Sequence, residues 1–218
     1  MIEFLDSIDK QWLLALNNDY SEFWDGIMYT YSGRLPWVPL YLSMIYVIIK
    51  QWGKKGLWLV LALILSVVLA DQIASGILKN AVGRLRPSHE PELEGLVVLV
   101  RGMKSGLYGF VSSHAANSFA IALLSSLFFR NRIYSTGIFA WAIINSYSRI
   151  YLGVHYPGDI LGGTIVGLLV AWLIYWVLKK LKPTLFTDTP SNKSIFKIPV
   201  YIFLITCLCI VAYSQWFW

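Results

Sequence analysis

The sequence predicts an all-α, polytopic membrane helical bundle of about six transmembrane helices, preceded by an N-terminal amphipathic interfacial helix. Three observations carry this. Of 218 residues, 57% are apolar and only 14% charged, whereas soluble chains run at roughly a quarter charged, so this chain cannot clothe a water-facing surface. The apolar residues gather in runs close to the ~20 residues that cross a ~30 Å hydrocarbon core. The net charge of +6 sits mostly between those runs, a pattern of membrane orientation that argues against a nucleic-acid partner.

Residues 1–31 interleave Ile2, Phe4, Leu5, Ile8, Trp12, Leu13 and Leu16 with Asp6, Asp9 and Lys10. That spacing has helical period and an acidic face, as expected of a helix lying on the membrane surface. The opening Glu3, Asp6 and Asp9 do not resemble a basic signal-peptide start, so the apolar runs of 32–218 are expected to insert the chain themselves. The first run, 35–49, is short and is extended toward Trp52; its Pro36 and Pro39 suit a first helical turn, where no intrahelical N–H bond is lost. Runs 57–78, 107–129, 133–148, 160–178 and 198–218 supply the other five spans, with a polar loop at 183–194. Cys207 and Cys209 point to different faces of the last one, which leaves no disulfide or zinc reading.

The connections sort by charge. Lys50, Lys54, Lys55, Arg130, Arg132, Lys179, Lys180, Lys182, Lys193 and Lys197 fall on one alternate set, with Asp188 its only acid. The positive-inside rule makes that side cytoplasmic, and puts the acidic N-terminal segment and the 79–107 and 149–159 connections outside.

Polar groups concentrate at that outer end. Lys79 and Arg86 are seven apart, so a continuing helix would put them on one face, either to grip one anion or to snorkel. Pro87 stops the helix and fixes where Arg86 points. Ser112 and Ser113 precede His114, Ala115, Ala116 and Asn117. They are N-cap candidates, and a helix start with small side chains also offers free N–H groups to a phosphate, with His114 placed to donate a proton. In Ser148, Arg149, His155 and Asp159, the Pro157 ring sets Asp159 near the third helical residue. There it either complements the helix dipole or fixes the tautomer of His155, leaving the other ring nitrogen to attack. Two histidines and a carboxylate could hold a metal, but the surrounding cations oppose one, so no metal is expected. Gly158, Gly162, Gly163 and Gly167, with Ala115, Ala116 and Ala120, predict close packing of the third and fifth spans. Asp71 reads as a buried hydrogen-bonding group, and the acidic loop at 89–94, with Arg101 and Lys104 beyond it, either contacts a headgroup or is solvated.

Taken together, Lys79-x6-Arg86-Pro87, Ser112-Ser113-His114 and Ser148-Arg149-x5-His155-x3-Asp159 resemble the three-part signature of the type 2 phosphatidic acid phosphatase superfamily, over roughly 57–178. That family holds membrane lipid phosphatases and soluble haloperoxidases; spans such as these exclude the soluble branch. Val111 and Ser113 replace the proline and glycine of the usual Pro-Ser-Gly-His, and a positive φ at Ser113 would carry strain. The resemblance implies that His155 is the nucleophile of a phosphohistidine intermediate, oriented by Asp159. It implies that His114 protonates the leaving oxygen and that Lys79, Arg86, Ser112, Ser113 and Arg149 bind phosphate. It implies no cofactor, and as partners only the bilayer and a membrane lipid phosphate substrate, with no obligate protein partner. The expected substrate is undecaprenyl diphosphate, a lipid A phosphate or phosphatidylglycerol phosphate, at the periplasmic face of a bacterial inner membrane. A non-catalytic lipid-phosphate carrier is the rival, and it would not need the His155–Asp159 pair.

Overall fold

The computed structural model describes residues 2–18, 21–187 and 193–217. Asp188 and the rest of 188–192, and the side chains of Ile2, Glu3, Lys193 and Phe217, lie outside what is described.

Helices α1 (Ile2–Leu16) and α2 (Glu22–Tyr31) lead into α3 (Val38–Trp52) through a 3-10 turn, Leu35–Trp37, that takes Pro36 where no N–H is needed. Buried Trp37 donates from Nε1 to the carbonyl of Tyr31 at 2.8 Å and packs edge-on to Trp141. Gly53, at φ +53°, opens a second 3-10 turn, Gly53–Gly56. Gly56 then lies against Ile48, a contact closed to a continuing helix, in which eight residues rise ~12 Å, so the chain has reversed.

Helix α4 (Leu57–Asp71) runs through a π-helical stretch, Gln72–Leu78, into α5 (Lys79–Val82). After it come α6 (Ser113–Phe129), α7 (Arg132–Tyr151), α8 (Pro157–Leu181), the short α9 (Thr184–Thr187) and α10 (Ile198–Phe217). Helices α3, α4, α6, α7, α8 and α10 fall on the six apolar runs. Among the described residues, Leu35–Val82, Pro157–Leu181 and Ser194–Trp216 are the helical stretches long and apolar enough to cross a membrane. Helix α6 sits at the centre, against α4, α7 and α8. A Cβ on Gly163 or Gly167 would drive into the carbonyl oxygens of Ser112 and Ala116, so these glycines set the close approach of α6 and α8.

Four expectations change. Helix α6 starts at Ser113 and not near 107, because the backbone at 107–109 is engaged elsewhere: Arg86 N–H donates to Leu107 O at 3.0 Å and Gly109 N–H to Arg84 O at 2.8 Å. Helix α5 stops at Val82, with Gly83 at φ +64°, so Arg86 reaches the site from an extended segment and does not share a helix face with Lys79. Ser113 is an ordinary helical residue; among the described non-glycine residues only Arg101 and Arg130 have positive φ. The acids of α1 do not form a purely solvated face. Asp6 and Asp9 turn inward to Arg84, while Phe4, Leu5 and Trp12 stay exposed on the same helix.

Candidate active site

Four chain segments meet at one end of the bundle. The turn between α7 and α8 carries His155, fully buried, four residues before Asp159, which Pro157 places in the first turn of α8. Asp159 Oδ2 accepts from Tyr156 N–H at 3.1 Å at the start of α8 and lies 3.0 Å from His155 Nδ1. On the other side of the ring, Arg86 Nη1 lies 2.7 Å from His155 Nε2. A guanidinium can only donate, so Nε2 accepts and the proton resides on Nδ1, bonded to Asp159. This tautomer puts the free lone pair of the ring on Nε2. Burial first, and then Arg86, Arg149 and Lys79, hold the imidazole well below its usual pKa and keep it neutral.

The cations come from three elements. Arg86 also donates to Val154 O at 2.9 Å. Arg149, buried near the end of α7, donates to Ser32 Oγ and, at 3.3 Å, to Ser105 Oγ. Lys79 on α5 reaches Ser113 Oγ at 3.5 Å and Ser75 Oγ at 3.3 Å. The Nε–H groups of Arg86 and Arg149 are buried without an acceptor among the described residues, which suits an anion arriving with free oxygens. Ser112 caps α6, accepting from Ala115 N–H at 3.5 Å, and its own N–H donates to Asp159 O at 2.9 Å, which ties the start of α6 to α8. His114, on the first turn of α6, interacts electrostatically with His155, Arg86 and Arg149. All eight residues singled out from the sequence thus gather around one site. Among the described residues, no three His, Cys, Asp or Glu side chains converge as metal ligands.

One member escaped the sequence reading. Arg84 Nη1 donates to Asp159 Oδ1 at 3.3 Å, the oxygen His155 does not use, and its guanidinium lies 3.8 Å over the Tyr156 ring. An arginine two residues before Arg86-Pro87 was the available signal.

A cavity of about 570 Å³ opens beside the site, between α3, α4, α6 and α7. It follows α6 from Ser113 and His114 to Ile121, and α4 from Gln72 to Val60, with apolar walls from Met44, Ile45, Leu63, Ile64 and Val67. Twelve residues of α4 make it ~18 Å long. Asp71 faces it and accepts from Asn117 Nδ2 at 3.3 Å, the hydrogen-bonding role expected of it.

The family model described as PAP2 superfamily matches residues 55–183, more than half of the chain. The chain belongs to the PAP2 superfamily. Along 98% of both chains it is 42% identical to the lipid A 4'-phosphatase of Bacteroides thetaiotaomicron. A lipid A 4'-phosphatase of Porphyromonas gingivalis is 36% identical, covering 81% of this chain and 75% of the relative. The fold is similar to the crystal structure of a transmembrane PAP2-type phosphatidylglycerolphosphate phosphatase from Bacillus subtilis, with a TM-score of 0.60 at 20% identity, over 82% of this chain and 88% of that one. As a PAP2 member with these relatives, the chain is an integral-membrane phosphatase, a hydrolase acting on lipid phosphates.

Proposed function

We propose that this PAP2 enzyme removes the 4'-phosphate of lipid A at the periplasmic face of the inner membrane, through a phosphohistidine on His155. The observation that carries the substrate is the reach of the likeness to the Bacteroides thetaiotaomicron phosphatase: it extends over 98% of each chain, so it includes α1 and α2, outside the 55–183 region shared across the family. The cavity between α3 and α4 supports it, since an apolar channel ~18 Å long beside His114 would take an acyl chain while the phosphate lies among the cations.

The chemistry follows from the atoms. The phosphate oxygens engage Lys79, Arg86, Arg149 and the Ser112–Ser113 helix start, and Arg86 leaves Nε2 for the anion. Nε2 attacks phosphorus as the bond to the sugar oxygen breaks, and His114, which takes up a proton from solvent as the phosphate's negative charge arrives among the cations, gives that proton to the oxygen. Asp159 stabilises the positive charge that the ring acquires. Water, deprotonated by His114, then attacks phosphorus as the N–P bond breaks, releasing inorganic phosphate and returning the lone pair to Nε2 of His155. Cationic side chains neutralise the phosphate throughout, and no step calls on a metal; activity in excess chelator should remain within about two-fold of untreated enzyme.

The test is a side-by-side assay of purified enzyme in detergent micelles with bisphosphorylated lipid A, undecaprenyl diphosphate and phosphatidylglycerol phosphate. Phosphate release and mass spectrometry should show loss from the 4' position of lipid A. Turnover of either other lipid ten-fold faster would overturn the substrate. For the face, single cysteines in the 88–106 loop should label in intact cells with an impermeant thiol reagent, and cysteines at 50–56 should not; the reverse pattern inverts the topology.

A further inference from the structure

Arg84 is the least explained charge near the dyad. It is one cation touched by three carboxylates: Asp6 at 2.7 Å, Asp9 at 2.7 Å and Asp159 at 3.3 Å. Two of the three come from α1, which lies more than 70 residues away in sequence and outside the matched family region. Asp9 is tied twice, because its Oδ1 also accepts from Gly158 N–H at 2.7 Å, on the first turn of α8. A Cβ on Gly158 would lie 2.5 Å from Asp9 Oδ2, so the glycine is what lets the α1 carboxylate come this close.

An arginine bonded to Asp159 alone would work against catalysis. It would draw on the carboxylate whose charge must stabilise the ring of His155 when Nε2 bonds to phosphorus. Two further carboxylates on the same guanidinium offset that. We propose that Arg84 and the α1 acids Asp6 and Asp9 form a positioning unit, in which Arg84 fixes Asp159 through Oδ1 while Asp6 and Asp9 neutralise it, so that Oδ2 keeps its charge for His155. The unit lies on the Nδ1 side of the ring and Arg86 on the Nε2 side, which gives the imidazole a field directed along the reaction. The inference rests on His155 and Asp159 as the nucleophile pair proposed above.

The test uses the full-length enzyme with bisphosphorylated lipid A in micelles. Asp9→Asn keeps an oxygen for Gly158 N–H and removes only the charge; Asp6→Asn touches no backbone, and Asp6 is partly exposed, so folding is not at stake. Each should lower kcat about ten-fold and leave KM within two-fold, because neither acid touches a side chain assigned to the phosphate. The acid limb of the kcat profile should also move to lower pH. The charged and titratable groups around His155 are Asp159 on α8, Arg84 and Arg86 before Pro87, Arg149 on α7, Lys79 on α5 and His114 on α6, with Asp6 and Asp9 of α1 behind Arg84 and Lys10 paired to Asp6. Removing a carboxylate from this set makes protonation of the ring harder. In an Arg84→Gln background, Asp6→Asn should have no further effect on kcat.

Unchanged kcat in both acid variants, or a loss with an unmoved pH limb, means that α1 only packs on the site and overturns the proposal. His155→Ala, run alongside, separates the two levels. If it is dead while the acid variants match wild type, only this inference falls. If it turns over, the nucleophile assignment falls first.

Discussion

Asp159→Asn isolates charge from shape at the dyad. All three partners of the carboxylate are donors: Tyr156 N–H and His155 Nδ1–H on Oδ2, and Arg84 on Oδ1. An asparagine must turn its single oxygen toward the two donors on the Oδ2 side, which preserves the cap and the ring orientation and sets its NH2 against Arg84. The contacts to Tyr156 and His155 therefore persist while the Arg84 contact is lost, and KM should hold within about three-fold. What is lost is attraction between a carboxylate and a ring that becomes cationic only as Nε2 bonds to phosphorus. At a charge separation of ~4 Å and an effective dielectric of ~20, that attraction is about 4 kcal/mol, close to a thousand-fold in kcat. Steady-state phosphate release at saturating lipid gives kcat, and a thermal melt of the same sample checks that the variant is folded. A folded variant within ten-fold of wild-type kcat, or one whose defect is all in KM, would refute the electrostatic role and reduce Asp159 to a helix cap.

The two histidines should separate by leaving group. His155→Ala should abolish turnover and any acid-labile phosphoenzyme, whereas His114→Ala should still form one with an aryl phosphate, whose departure needs no proton; a trapped phosphate on His114 would exchange the roles. Gly167→Ala should destabilise the bundle by about 1–3 kcal/mol, seen as a lower melting temperature, because its methyl group meets the backbone of Ala116; an unchanged melt would mean that α6 and α8 can part freely. Acid should weaken the fold through His155. Its folded pKa is depressed, so the site contributes in full above the unfolded value of ~6.5 and loses stability below it, by at most about 1.4 kcal/mol per pH unit. Melts of wild type and His155→Gln from pH 7.5 to 5 should therefore diverge below pH 6.5, and parallel curves would show that the ring protonates in the folded state.

What could be read from the sequence was whatever repeats a local rule. Apolar runs of span length marked where α3, α4, α6, α7, α8 and α10 lie, and proline at the first helical position located Asp159 within its turn. The signature strings identified His155, Asp159, Arg86 and their neighbours because each string is short and carries its own geometry. Arg84 was missed for the opposite reason. Its partners Asp6 and Asp9 are 78 and 75 residues away, and nothing in an amphipathic pattern says which neighbour an acidic face will meet. The start of α6 was misplaced because apolar Leu107, Phe110 and Val111 look like helix, yet their segment pairs with residues 84–86. Hydropathy records what a side chain prefers to be near; it does not record where the backbone N–H groups bond.

The 2.7 Å contact between Arg86 and Nε2 of His155 means that the resting enzyme keeps the lone pair of that nitrogen covered. Under the proposed mechanism only an anion can uncover it, since drawing the guanidinium away requires something more attractive than a neutral imidazole. Recognition and arming are then one event. A neutral electrophile drifting in from the bilayer finds a blocked nitrogen, and a phosphorylated headgroup exposes it by the act of binding. Oxyanions of similar size, vanadate among them, would open the same latch without offering a leaving group, and so would hold the enzyme in its armed state.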